Sequence, residues 1–183
     1  VVERVEEPSS AVRLVLVQAL AKGDRDELAI EAATEVGVDA VVPWQAKRSI
    51  VVWRGDRAAR SRSRWLATVR TATKQARRAY VPAVDEAVGL DGLVRRTART
   101  VGAGGAVLVL HEEASMPLAG LALPAAGEVL VVVGPEGGID ETELAALTGA
   151  GAVAVRLGPH VLRTSTAGPV ALALLCSRLG RWS

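Results

Sequence analysis

The sequence predicts an α/β domain, a mostly parallel sheet flanked by helices. Short runs rich in Val, Leu and Ala recur at Val12 to Leu20, Ala40 to Pro43, Ala106 to Leu110, Val129 to Val133 and Ala152 to Leu157. Near-continuous apolar runs are what strands covered on both faces require. The lengths between the last three runs suit helical crossovers, which parallel pairing needs. Half of the residues are hydrophobic, yet there is no Phe and one Tyr, so Val, Leu and Ala must fill the core. Alternating strands and helices on this pattern make a layered α/β sandwich.

Taken in order, Val1 to Ser10 alternates in character and ends in Pro8-Ser9-Ser10, like the last strand of a preceding domain with its linker. The start Val1-Val2-Glu3-Arg4 carries neither an initiator Met nor a signal-peptide pattern, so the chain is expected to be a fragment of a longer cytoplasmic protein. Val12 to Leu20 is the first strand. Asp24 and Glu27 have capping-box spacing, and the helix they open should end at Gly37. Leu28, Ala32 and Val36 would form its apolar stripe, with Glu27, Glu31 and Glu35 on another face. Ala40 to Pro43 is a second strand. A long helix follows over Arg60 to Ala79, with Trp65, Val69, Ala72 and Ala76 inward and Arg70, Lys74 and Arg78 on a separate ridge. Asp140 and Glu143 make a second capping box, on a helix that stops near Gly149 and Gly151. The last helix spans Thr166 to Leu179, with Thr164, Ser165 or Thr166 as its cap and Pro169 in its first turn.

Composition excludes several classes. The single cysteine, Cys176, rules out a disulfide framework, and with only His111 and His160 as imidazoles a zinc site has too few ligands. No metal is expected. No apolar run approaches the about 20 residues of a membrane span, so no membrane partner is expected either. Net charge is +2, but from Lys47 to Arg78 eleven Lys or Arg residues stand against one acid, Asp56. Such a run is either a solvated basic face or a nucleic-acid surface. Its length and the presence of Trp53 and Trp65 favour nucleic acid.

Two glycine turns carry most of the chemistry. Val131-Val132-Val133 runs into Gly134-Pro135-Glu136-Gly137-Gly138, and Leu157-Gly158-Pro159-His160 runs into Val161-Leu162-Arg163-Thr164-Ser165-Thr166-Ala167. Glycine at a strand's end leaves the backbone open to a ligand. No Gly-Lys-Ser/Thr follows, so this is not a P-loop. The spacing of Gly134, Gly137 and Gly138 does not fit a dinucleotide fingerprint, and no serine sits in a nucleophile elbow. Alone, the first turn also reads as plain loop chemistry.

With His111-Glu112-Glu113-Ala114 after another strand, the two turns resemble the cofactor loops of the SPOUT methyltransferases. The chain is similar in particular to the RsmE family, which methylates N3 of a uridine in 16S ribosomal RNA. Lys22-Gly23, Ala33-Thr34-Glu35-Val36-Gly37, Arg48-Ser49, Gln75-Ala76-Arg77-Arg78 and Val81-Pro82 match that family's pattern in order. The resemblance implies a deep C-terminal trefoil knot, a rare exception among folds. It also implies S-adenosylmethionine as cofactor, a homodimer, and the small ribosomal subunit as partner. Residues 11–183 would be the methyltransferase domain, and residues 1–10 the remnant of an N-terminal PUA-like RNA-binding domain.

Carried over residue by residue, the first cofactor loop is Leu110, His111 and Glu112. The second is Val133, Gly134, Pro135, Gly137 and Gly138. The third is Leu157, Gly158, Val161 and Leu162, with Thr164, Thr166 and Ala167 beyond. Leu110, Val133, Leu157 and Leu162 would supply the apolar slot for adenine. Arg163 would place positive charge near O2 or O4 of uracil and favour its imide anion. Glu136 is either an assisting base or a tie between its loop and backbone N–H groups, and His111 is either a loop residue or a direct participant. Many relatives have Leu-Arg-Thr-Glu-Thr-Ala where this chain has Leu162-Arg163-Thr164-Ser165-Thr166-Ala167, so no acid at position 165 can be an essential base. RNA would be drawn in by Lys22, Arg48, Arg60, Arg64, Arg70, Lys74, Arg77 and Arg78. Two alternatives stand beside this reading: a knotted ribose 2′-O-methyltransferase, and a non-catalytic RNA-binding module of the same fold.

Overall fold

The computed structural model describes residues 10–182. The expectation for Val1 to Ser10 therefore lies almost wholly outside the described residues. Six strands form one sheet: β1 (Val12–Ala19), β2 (Ala40–Trp44), β3 (Ala83–Val84), β4 (Ala106–Leu110), β5 (Gly127–Val133) and β6 (Val153–Val155). Their order is β3-β2-β1-β5-β4-β6, and every neighbouring pair is parallel. Five α-helices join them: α1 (Arg25–Val36), α2 (Asp56–Gln75), α3 (Leu90–Gly102), α4 (Glu141–Gly149) and α5 (Thr164–Arg178).

The pleat sends alternate side chains to opposite faces, and each face has its own core. Leu14 and Leu16 of β1 with Val129, Val131 and Val133 of β5 meet Ile30 and Ala33 of α1, Trp65 and Val69 of α2, and Ala171, Leu172 and Leu175 of α5. Val15 and Val17 with Leu130 and Val132 meet Leu93 of α3 and Leu147 of α4 on the other face. That explains why these strands read as continuous apolar runs. Trp53 stacks edge-on against Trp65 with ring centroids 5.2 Å apart, closing the α2 side.

Several local expectations shift. The stripe of α1 is not the expected Leu28, Ala32 and Val36: Leu28 is exposed, Val36 packs partly buried at the core's edge, and Ala29, Ile30, Ala33 and Thr34 face the core. Asp24 makes no side-chain cap, although Gly37 ends the helix with φ 123 as expected. Helix α2 begins at Asp56 and ends at Gln75, earlier at both ends than Arg60 to Ala79. Arg77, with φ 53, is the non-glycine residue held in the left-handed region just past it. Ala76 and Arg78 consequently lie beyond the helix, and Arg78 donates to the Thr34 carbonyl of α1 at 2.8 Å. The ridge Arg70, Lys74 and Arg78 is thus broken after Lys74. The link between β4 and β5 is no helical crossover; its regular structure is one 3-10 turn, Leu118–Gly120. Its residues 116–118 pair instead with Arg156 beyond β6. Asp140 and Glu143 do form the capping box of α4.

After β6, at the sheet's edge, the chain doubles back along the strand ends so that α5 packs on α1 over β1 and β5. The threading of this return is the step on which the expected trefoil knot depends. The approach there is close: a Cβ at Gly168 would come within 2.8 Å of Leu16 Cδ1, so the Leu16 side chain would have to shift. Beyond α5, Arg181 reaches the opposite end of the sheet, donating to the carbonyls of Gly37 and Val12 and to the Asp39 carboxylate. Among the described residues no helix is long and apolar enough to cross a membrane, and no cluster of His, Cys, Asp or Glu is arranged to hold a metal.

Asp26, in the first turn of α1, is buried, and that burial pushes its carboxyl up to about 6 from 3.8, against the pull of the Glu27 and Ala21 backbone N–H groups. A folded-state pKa above the unfolded one means the folded chain binds the extra proton. This contribution to stability is therefore present below about pH 4 and is lost as pH rises through about 6. Asp26→Asn, which keeps an acceptor for the backbone, should flatten the fall in melting temperature between pH 4 and 6.5. An identical pH profile in the variant contradicts the assignment.

Candidate functional site

Parallel strands all end on the same edge, so the loops that follow β4, β5 and β6 gather at one place. Between them lies a cleft of about 980 Å³. Leu110, His111 and Glu112 line it from the first loop, Val133 to Gly138 from the second, and Leu157 to Arg163 from the third, with Thr164 and Ala167 of α5 below. Every residue expected at the cofactor site is brought there except Thr166, which is exposed on the first turn of α5 and does not line the cleft. Both Glu136 and Arg163 line it.

The second loop is shaped by packing as much as by torsion. A Cβ on Gly134 would sit 2.6 Å from Ile139 Cγ1, so only glycine lets the turn close on itself. Gly138 has φ 73, a left-handed conformation that glycine adopts without cost. At Gly158 a Cβ would meet nothing within 4 Å. Packing therefore does not require glycine there.

The same loop is gripped from both sides. Glu136 Oε1 accepts from the Lys22 N–H at 3.1 Å and from the Arg25 guanidinium at 2.8 Å, tying the turn to the segment after β1. Partial burial raises this carboxyl, but its own backbone N–H, Arg25 and the Lys22 N–H outweigh burial and hold it below the usual range. Arg48, after β2, donates to the Gly137 carbonyl at 3.0 Å, and its neighbour Lys47 pairs with Asp140 at 3.0 Å. The Thr142 hydroxyl, then Lys47, hold the Asp140 carboxyl down at about 2. Buried Glu143 accepts from the Lys47 N–H at 2.8 Å and from the Asp140 N–H at 3.3 Å.

His111 is used within its own loop, its Nδ1 accepting from the Glu113 N–H at 3.3 Å. Arg163 is the N-cap of α5 but caps through its carbonyl, which accepts from Thr166 and Ala167 N–H groups. Its side chain is exposed on the cleft and has no partner among the described residues. None of the three hydroxyls expected to cap α5 does so. Thr164 donates instead to the Gly134 carbonyl at 2.7 Å.

Of the residues expected to meet RNA, only Arg48 lines the cleft. Arg60, Arg64, Arg70 and Lys74 are exposed on α2, with Arg57, on the side opposite Trp65, Val69 and Ala72. Arg64 also approaches Glu27 of α1 at 3.6 Å. Lys22 and Arg77 are exposed, whereas Arg78 is engaged with Thr34. Sequence reasoning missed Arg25, Lys47 and Gln18. Of these Gln18 left a signal, a polar residue near the end of an otherwise apolar strand.

Comparison with known proteins agrees with this geometry. Residues 8–176 match the RNA methyltransferase domain family. The chain is 52% identical over 182 residues to Ribosomal RNA small subunit methyltransferase E of Mycobacterium tuberculosis, covering 100% of this chain and 70% of that protein. It is 33% identical over 171 residues to the enzyme of the same name from Bacillus subtilis, covering 90% and 65%. The structure superposes with a TM-score of 0.81 on Ribosomal RNA small subunit methyltransferase E from Neisseria gonorrhoeae bound to S-adenosyl methionine, at 31% identity, over 93% of this chain and 68% of that one. A parallel sheet with three loops converging at its carboxyl edge, matched along its full length, places this chain in the ribosomal RNA small subunit methyltransferase E (RsmE) family.

Proposed function

We propose that this chain transfers a methyl group from S-adenosylmethionine to N3 of a uridine in 16S ribosomal RNA of the small subunit. The observation that carries the proposal is the single cleft formed by all three expected loops, with the unpaired guanidinium of Arg163 at its edge. Family membership supports it, as does the donor bound by the Neisseria relative. The residues present fit such a donor. Leu110, Val133, Leu157 and Leu162 offer apolar surface, and the open backbone at Gly158 offers polar groups for the adenine edge. When bound, the donor supplies an electrophilic methyl carbon on a positively charged sulfur.

The chain's own contribution is orientation and charge. Uracil N3 carries its proton between two carbonyls, and attack requires that the developing imide anion be stabilised. Arg163 does this by placing its charge against O2 or O4. Glu136 is a poor base, because its carboxylate is already committed to Arg25 and the Lys22 N–H and is held low. Its role is the tie that keeps the glycine turn in place. The proton leaves to water, and the remaining catalysis is the in-line placement of methyl carbon and N3.

The basic face of α2 would hold the RNA backbone, supplying a salt-sensitive attraction without sequence information. Selection of one uridine then rests on RNA shape and a base splayed into the cleft. A homodimer in which a second copy completes the substrate pocket, and a cytoplasmic location, belong to the same proposal.

Arg163→Ala should lower turnover by about a hundredfold or more while changing donor affinity only a fewfold, as expected for a group acting on the developing charge. Mass spectrometry of small-subunit RNA after incubation with labelled donor should find the methyl on a uracil base. A methyl on ribose, or near-normal turnover by the variant, overturns the assignment. Replacing Arg60, Arg70 and Lys74 together by Gln should make the salt dependence of RNA binding shallower by about 2 in log–log slope. An unchanged slope removes α2 from the RNA face.

A further inference from the structure

Beneath the cleft lies a buried polar chain that the proposed reaction does not yet use. Gln18, near the end of β1, is fully buried between Pro43 of β2 and Val133 of β5. Its amide nitrogen donates to the Thr164 hydroxyl at 2.9 Å and to the Ala19 carbonyl at 3.3 Å. The Thr164 hydroxyl has one proton, and it goes to the Gly134 carbonyl at 2.7 Å. The hydroxyl is thereby engaged as both donor and acceptor within the protein. Gln18 Oε1 is left with no partner among the described residues, a cost that an apolar residue in this strand would not carry. A core built for stability alone would put Leu or Val here, as it does at Leu16 and Val17.

The two ends of this chain identify its use. Gly134 opens the turn after β5, and Thr164 directly follows Arg163. One hydroxyl therefore fixes both the start of the second loop and the residue poised at the end of the third. We infer that Gln18 and Thr164 are positioning residues for methyl transfer, holding the Gly134 turn and Arg163 in register across the cleft. The inference rests on the methyl-transfer reading above. It also moves Thr164 from a ligand contact to a residue that acts through Gly134.

Thr164→Val keeps the shape of the side chain, removes the donor to the Gly134 carbonyl and leaves the Gln18 amide nitrogen only its longer bond to the Ala19 carbonyl. Donor affinity by calorimetry, kcat on small-subunit RNA and melting temperature should be measured together on the full chain. The expected result is an about tenfold weaker donor Kd and a drop in kcat of at least the same size. Thr164→Ser, which restores the hydroxyl, should recover both. Gln18→Met, of similar length and fully apolar, should change Kd and kcat in the same direction, and it carries the test if Val at position 164 does not fold. A lower melting temperature with wild-type Kd and kcat in either folded variant overturns the inference, as does failure of Ser to restore. Absence of donor binding by the unmodified chain is a different outcome and sinks the methyl-transfer reading itself.

Discussion

The hydrogen bond from the Thr164 hydroxyl to the Gly134 carbonyl joins the end of a central strand to the start of α5, at the floor of the cleft. Strand β5 is flanked by β1 and β4, so its end is among the most rigid points of the edge. Helix α5 reaches that point only because the chain doubles back from the outermost strand. This attachment adds to the packing of α5 on α1 and the sheet at the far end of the loop 156–163. With it, Arg163 is held between a helix N-terminus and a strand end.

The same turn is restrained laterally by charge. Glu136 is tied to the segment after β1, while Arg48 and Lys47 reach in from the segment after β2. Individually such exposed pairs contribute little to stability. Their value here is geometric, because they act on a loop whose glycines leave it otherwise free to move. The carboxylate of Glu136 is engaged by Arg25 and the Lys22 N–H and held low, which suits a tie better than a base.

Much of this was legible in the residues. Each of the three loops follows a strand with a continuous apolar run, and glycines mark two of them, so strand, turn and site were read together. The parallel α/β class followed from the alternation of strands and helices, whereas the strand order did not, and Gly37, Asp140 and Glu143 punctuated α1 and α4 as their chemistry predicts. What escaped were choices settled by distant partners. In α1 both Leu28-Ala32-Val36 and Ala29-Ile30-Ala33 have helical spacing, and only packing against α5 and α2 selects the second. The ends of α2 lie in polar sequence without a cap, and Arg77 breaks it by adopting a left-handed conformation usually left to glycine. Strand β3 is two residues long and has no periodicity to detect. In the site, Thr164 looked like a cap because hydroxyls cap helices, but its partners are Gln18 and Gly134, the first of them 146 residues away. Arg25 finds Glu136 across 111 residues. Local sequence cannot display such pairs.

In the proposed reaction the loops after β4, β5 and β6 form one pocket for a methyl donor. Amide hydrogen exchange with and without S-adenosylmethionine tests it most directly, because it reads each loop separately. Exchange should slow on donor addition in 110–113, 133–138 and 157–163 together, with α2 unchanged. Unaltered exchange in those three segments, or protection confined to another part of the sheet, would contradict it.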